Sequence, residues 1–277
     1  MQVVHTIAGM KKLRRECADS VGLAPTMGFL HEGHLALARQ AKFENAVAVA
    51  TIFVNPTQFG PGEDFKSYPR DLDRDLALLD EVKTDIVFVP SDKEMYPRGY
   101  DTWVEVRGIT AKLEGKSRPT HFQGVTTVCN KLFQIIEPDR AYFGQKDAQQ
   151  AIVIQRMVSD LNMNLDIVVC PTVRESDGLA MSSRNTYLTM DERTSAVVLY
   201  KSLCLAKDMY DRGERDAAVI KQAMNSLISG VAAAKIDYIS IADTDTLDEV
   251  DMIGGKALVS LAVRLGKPRL IDNIILG

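Results

Sequence analysis

Over the first 170 residues, short apolar runs trade places with segments of helical period, and this alternation leaves few folds open. VGLAP (21–25), AVAVATIFV (46–54), DIVFVP (85–90), RAYFG (140–144) and LDIVVC (165–170) read as strands. GHLALARQAKF (33–43), DLDRDLALLDEV (71–82), VTTVCNKLFQII (125–136) and DAQQAIVIQRMVSDL (147–161) read as the helices between them. Strands that alternate with helices form a mostly parallel sheet covered on both faces, and near-continuous apolar strands fit that double burial. After Cys170 the character changes. PTVRESDGLAMSSRNTYL (171–188) is polar and rich in turn-formers. Amphipathic helices over 190–211 and 215–230 follow, then strands at KIDYISIA (235–242), KALVSLAVRL (256–265) and RLIDNIIL (269–276). The expectation is an α/β chain: a doubly wound parallel sheet over 1–172 and a smaller α+β domain over 173–277.

Composition bounds the function. With 277 residues the chain buries a sizeable core, and 46% apolar with 25% charged residues is ordinary for a soluble globular protein. A net charge of -4 argues against binding nucleic acid by broad phosphate neutralisation. The longest apolar run, residues 46–54, is far short of the about 20 residues a membrane span needs. The N-terminal stretch carries Lys11, Lys12, Arg14 and Arg15 without an apolar signal segment. Cys17, Cys129, Cys170 and Cys204 make no CxxC pair, which favours reduced thiols in a cytoplasmic protein. No membrane or nucleic-acid partner is expected.

Two of the four histidines, His31 and His34, stand at the mouth of a helix in APTMGFLHEGHLALARQ (24–40), just after a strand. Ligands of a doubly wound sheet bind beyond the carboxyl ends of its strands, and a helix N-terminus offers unpaired N–H groups suited to phosphate. Gly28 and Gly33 permit close backbone approach, and the imidazoles add donors. Zinc competes as a reading, but HxxH supplies only two ligands, with only His5 and His121 elsewhere and no cysteine nearby. A plain turn with solvated or buried histidines stays open on this stretch alone.

Four further segments bear on it. FVNPTQFGPGEDFKSYPRDLDRD (53–75) has three prolines and two glycines and carries Asn55, Gln58 and Tyr68 directly after a buried strand. Its length and place suggest a functional lid over a plain surface loop. GKSRPTHFQGV (115–125) holds Lys116, Arg118 and His121, by default a solvated basic loop. In YFGQKDAQQ (142–150), Gly144 ends a strand, Lys146 faces the ligand edge, Asp147 is placed to cap the next helix, and Gln150 shares a face with Asp147. In VRESDGLAMSSRN (173–185), Ser182, Ser183 and Arg184 can donate to phosphate oxygens.

In order and spacing, PTMGFLHEGH, FVNPTQFGPGEDFKSYPRD, RPTHFQGV, FGQKDAQQ and DGLAMSSRN resemble the pantothenate synthetases, the pantoate–β-alanine ligases, over residues 25–188 and more loosely to the C-terminus. Phe29 and Ala36 stand where that resemblance leads one to expect a small residue and a serine, changes expected to affect only packing. The resemblance implies a Rossmann-like first domain of the HIGH-type nucleotidyltransferases, with His31-Glu32-Gly33-His34 as its HIGH, a C-terminal domain acting as a lid, and a homodimer. It implies that ATP and pantoate give pantoyl adenylate and pyrophosphate, and that β-alanine then displaces AMP. Magnesium accompanies ATP, with its ligands left unassigned and the phosphates as its main holders.

By the same resemblance His34 is the proton donor, and His31, Lys146, Ser182, Ser183 and Arg184 are the other catalytic groups. ATP is expected on Met27, Gly28, Phe29, Leu30, His31, Glu32, Gly33 and His34, on Gly144, Gln145, Lys146 and Asp147, and on Val173, Met181, Ser182, Ser183 and Arg184. Pantoate and β-alanine are expected on Pro25, Thr26, Met27, Asn55, Gln58, Tyr68 and Gln150. Such a reaction builds negative charge on phosphoryl oxygens, so it needs positioned donors more than a nucleophilic side chain. Two other readings are another HIGH-type enzyme, such as an aminoacyl-tRNA synthetase, and a non-catalytic nucleotide-binding module. The acidic balance speaks against the synthetase, and a mere binder has no need of both histidines, Lys146, Gln58 and Gln150 together.

Overall fold

The apolar runs of the first 170 residues become strands in the computed structural model, which describes residues 1–277. The strands are β1 (Gln2–Val4), β2 (Val21–Thr26), β3 (Val47–Ile52), β4 (Ile86–Phe88), β5 (Arg140–Gly144) and β6 (Asp166–Cys170). They form one sheet in the order β1-β4-β3-β2-β5-β6, with every pairing parallel. The helices around it are α1 (Ile7–Glu16), α2 (Glu32–Glu44), α3 (Leu72–Glu81), α4 (Asp92–Met95), α5 (Leu113–Ser117), α6 (His121–Ile136) and α7 (Ala148–Asp160). This is the doubly wound α/β arrangement that the alternation predicts. In β2, Val21, Leu23 and Ala24 have no exposed surface, as a strand with neighbours on both edges and helices above and below requires. Leu35, Leu37, Ala38 and Ala41 of α2 are buried in one core with Ala24, Ala50, Val87 and Tyr142.

The remainder forms its own core. Helices α8 (Met190–Ala196), α9 (Val198–Asp211) and α10 (Ala217–Ser229) accompany β7 (Ala234–Asp243), β8 (Ala257–Leu265) and β9 (Arg269–Leu276), an antiparallel sheet in the order β7-β8-β9. Leu199, Leu203, Ile220, Met224, Val259 and Leu261 fill this second core. The chain divides into two units: Met1–Gln145 with Gln149–Pro171, and Lys146–Ala148 with Thr172–Gly277. No helix is long and apolar enough to cross a membrane.

Several elements differ from the sequence expectation. β1 and α1 precede the first strand read from the sequence. β1 is three residues long with only partial burial, so it leaves no apolar run. The helix read as 190–211 is two, broken at Val197. The segment 115–125 is not a basic loop throughout. It is the end of α5 and the first turn of α6, and its His121 is half-buried.

Candidate active site

The sheet order reverses between β2 and β5. The chain runs outward from β2 through β3 to β4, then returns to place β5 on the other side of β2. In such a sheet this reversal is where ligands bind, beyond the carboxyl ends of the strands. β2 ends at Thr26 and the double-histidine turn follows it. β5 ends at Gly144, where a Cβ would meet no atom within 4 Å. The two segments singled out in the sequence thus leave adjacent strands.

The turn after β2 is held from both sides. The Thr26 hydroxyl donates to the Thr51 carbonyl at 2.6 Å and accepts the Gly28 amide at 3.2 Å. Gly28 and Phe29 are both left-handed, with φ of 82° and 49°. For a residue as large as phenylalanine that backbone is an outlier and is strained. Phe29 is therefore more than the packing change expected of it. The conformation is fixed by Asp75 of α3, whose carboxylate accepts the Phe29 and Leu30 amides, each at 2.7 Å. Burial pushes the Asp75 carboxyl above its ordinary value, against the two amides and Arg74 that hold it down. Arg74 lies over the Phe29 ring and donates to the Leu30 carbonyl at 3.0 Å.

His31 caps α2 and His34 lies in its first turn. Their rings stack with centroids 4.0 Å apart. The His31 amide donates to His34 Nδ1 at 3.4 Å, so Nδ1 carries a lone pair and Nε2 bears the proton. Glu32 is exposed and paired with Arg39.

Beyond β3, Asn55 opens the 3-10 turn Pro56–Gln58. Gln58 is 9% exposed, and its main-chain carbonyl accepts from His121 Nδ1 at 2.9 Å and from Arg118 at 3.3 Å. Arg118 also grips Glu63 through two bonds of 2.7 and 2.6 Å, so neither it nor His121 is a solvated base. At Gly124 of α6 a Cβ would stand 2.4 Å from the Thr57 carbonyl oxygen, so only glycine lets the turn seat this closely. The Gln58 side chain donates to Met27 Sδ at 2.9 Å and accepts from Asn55 at 3.2 Å. Tyr68 is buried further along the loop, edge-on to Phe59.

After β5, Gln145–Asp147 forms a 3-10 turn that runs straight into α7. Gln149 is consumed by structure, accepting the Glu114 amide and donating to the Ile109 and Lys112 carbonyls. Gln150, about 100° further round the helix, is half-buried.

Lys146–Ala148 group with the second unit, where Asn273 Nδ2 of β9 donates to the Lys146 carbonyl at 2.9 Å. The Lys146 ammonium is 3.5 Å from Asp147. In the same unit Arg174 and Asp272 form a two-bonded pair at 2.6 and 2.9 Å, with Arg174 stacked over Tyr200. That pair steadies the hairpin between Val173 and Met181, whose Met181 amide donates to the Val173 carbonyl. Ser182 opens the next 3-10 turn by accepting the Arg184 amide, and Ser183 is buried.

Asp75, Arg74, Gln149, Arg174, Asp272 and Asn273 escaped the sequence reading. For Asp75 a signal existed: it sits four residues before Leu79 on the apolar stripe of α3, where a carboxylate has no place without partners. Arg174 and Asp272 are 98 residues apart, and no local pattern joins them.

A family model described as pantoate-beta-alanine ligase matches residues 2–275. Pantothenate synthetases of Acetivibrio thermocellus and Thermotoga neapolitana are 55% and 54% identical to this chain, with at least 99% of each chain covered. Among solved structures, a Thermus thermophilus pantothenate synthetase superposes with a TM-score of 0.96 at 45% identity, covering 99% of both chains. A Francisella tularensis pantoate-beta-alanine ligase, solved with β,γ-ATP and β-alanine, gives 0.82 at 36% identity, covering 99% of this chain and 97% of its own.

Proposed function

The chain belongs to the pantoate–β-alanine ligase family and is an enzyme that forms pantothenate, and we propose that it works through pantoyl adenylate, converting ATP to AMP and pyrophosphate. A pantoate carboxylate oxygen attacks the α-phosphorus, and the bond to the bridging oxygen of the leaving pyrophosphate breaks. The amine of β-alanine then attacks the acyl carbon, AMP departs with the carbon–oxygen bond pair, and the nitrogen loses a proton.

The observation that carries this reading is the turn after β2. It presents a helix N-terminus and two stacked imidazoles at the reversal of the sheet, where developing phosphate charge needs donors. His34 Nε2 is the donor assigned to the leaving pyrophosphate. Met27 through His34 hold ATP, with Gly144–Asp147 as the second nucleotide segment and Asp147 near the ribose. Gly144, with open space beside it, fits a backbone approached by a nucleotide. Lys146, Ser182, Ser183 and Arg184 supply further donors to phosphate oxygens, and Val173 lies against adenine. Gln58 and Gln150 take pantoate, and Gln58 also borders β-alanine. Neutral amides orient the carboxylate without stabilising its ground state as a tight cation would.

Magnesium enters with ATP as part of the substrate. No group of three or more His, Cys, Asp or Glu side chains could hold a metal ion, so the protein's own donors do not fit a resident cation. The triphosphate supplies its oxygens. The deciding experiment is exchange of labelled pyrophosphate into ATP. Exchange is expected with pantoate alone and not without it. A requirement for β-alanine would overturn the two-step order, and ADP with phosphate as products would overturn adenylation itself.

A further inference from the structure

The polar chain behind Gln58 has a direction, and groups that can act in only one sense fix it. Asn55 is 1% exposed and its amide has both ends engaged. The Thr57 main-chain N–H, which can only donate, points at Asn55 Oδ1 at 3.4 Å. The Gly124 carbonyl, which can only accept, takes Nδ2 at 3.1 Å. These two settle which end of the amide is oxygen. The hydroxyls of Tyr96 and Thr57 also reach Oδ1, each at 2.9 Å, and both therefore donate to it. The second proton of Nδ2 then goes to Gln58 Oε1 at 3.2 Å. With its oxygen engaged, Gln58 is left with its NH2, which meets only the soft sulfur of Met27 at 2.9 Å. A thioether is a weak acceptor, so a substrate oxygen displaces it readily.

We propose that Tyr96 is a positioning residue for the substrate site: by donating to Asn55 Oδ1 it joins the Thr57 amide and the Gly124 carbonyl in holding Asn55 in the sense that turns the Gln58 NH2 toward a substrate oxygen. This rests on the reading that Gln58 binds pantoate. The tyrosine is well placed for a permanent donor. Its ring stands edge-on to Tyr100 at 5.0 Å and near Phe53, and the Lys131 ammonium lies 5.6 Å from its centroid. Burial holds its hydroxyl at about 12, so it stays protonated at any working pH. The consequence for specificity is directional. The substrate atom facing Gln58 is a carboxylate or hydroxyl oxygen acting as acceptor, and a ligand offering only a donor there is rejected.

The test is a double-mutant cycle on Tyr96→Phe and Gln58→Ala, because a residue that acts through another loses its effect when the second is gone. Phenylalanine keeps the ring and its packing and removes only the hydroxyl. Tyr96→Phe is expected to raise the pantoate KM about three- to tenfold, the usual worth of one hydrogen bond, with the ATP KM unchanged. In the Gln58→Ala background the same substitution is expected to change the pantoate KM less than about twofold, within the error of such cycles. Thr57→Val removes the other hydroxyl on Asn55 Oδ1 and gives the same pattern, which carries the test if the Tyr96 variant folds poorly. An unchanged pantoate KM, an equal rise in both backgrounds, or a matching rise for ATP overturns the proposal. Failure of the parent reading is separate: unsubstituted enzyme would then show no pantoate-dependent pyrophosphate exchange.

Discussion

His34 is both the third helical residue of α2 and the group assigned to the leaving pyrophosphate, and substitution separates the two roles. The turn leading into the helix is held by the Asp75 carboxylate and the Thr26 hydroxyl, and the His34 ring adds only the 3.4 Å bond from the His31 amide, so His34→Ala is expected to keep the fold. It is expected to slow adenylation by about two to four powers of ten, the range for a transition-state donor. Near-normal pyrophosphate exchange would remove His34 from the mechanism. His121 answers to a different variable. Burial, with Arg118 beside it, pushes its pKa from 6.5 down to about 4, so the folded protein holds it neutral. The unfolded chain takes up that proton near pH 6.5 and the folded chain only near 4, so stability is complete above the first value and falls away toward the second. The full loss is on the order of 3 kcal/mol. Thermal unfolding between pH 7 and 4.5 is expected to show it, and His121→Asn, whose amide can still donate to Gln58, to flatten it. An equal acid slope in both proteins would assign the loss to other groups.

At the level of elements, the loop after β3 is two parts with different anchorage. Asn55–Phe59 is tied to α6 through Gln58, His121 and Gly124, whereas Gly60–Arg70 is braced chiefly by the packing of its Phe65 and Tyr68 rings on Phe59 and by the Arg118–Glu63 pair. A reactive acyl phosphate anhydride is best kept from water. Nicking by protease is therefore expected within 60–67 in the free enzyme and is expected to fall when ATP and pantoate are both present. Equal cleavage in the two states would count against closure. The alternation of apolar runs and helical periods made the strands β2 to β9 readable because each buries a continuous or alternating apolar face. What stayed hidden depends on distance in the chain. DLDRDLALL reads as a helix whether or not Asp75 receives two amides from residues 45 and 46 positions earlier. In DAQQ nothing local says that Gln149 is spent on the α5 backbone, leaving Gln150 alone as a candidate for substrate. Tyr96, between Met95 and Pro97, belongs to no polar motif, and only the fold brings it to Asn55.

For the whole molecule, the telling fact is that Lys146–Ala148 leave the first unit for three residues and group with the second. On the role proposed for Lys146, β9 therefore has a stake in the chemistry. Asn273→Ala removes the donor to the Lys146 carbonyl and is expected to lower the rate of pantoate-dependent exchange by up to about tenfold, the scale of a single lost hydrogen bond. Thermal stability measured alongside separates this from general loosening, and an unchanged rate would show that the lysine turn needs nothing from β9. The same bond bears on the order in which the protein is made. Its two ends are 127 residues apart in the chain. Synthesis proceeds from the N-terminus and domains fold as they emerge, at roughly 5–20 residues per second. The histidine turn and its sheet can thus be assembled for at least several seconds before the lysine turn has its partner. Until Asn273 has followed, the lysine turn lacks this donor, so on the role proposed for Lys146 the nucleotide site is completed late in folding.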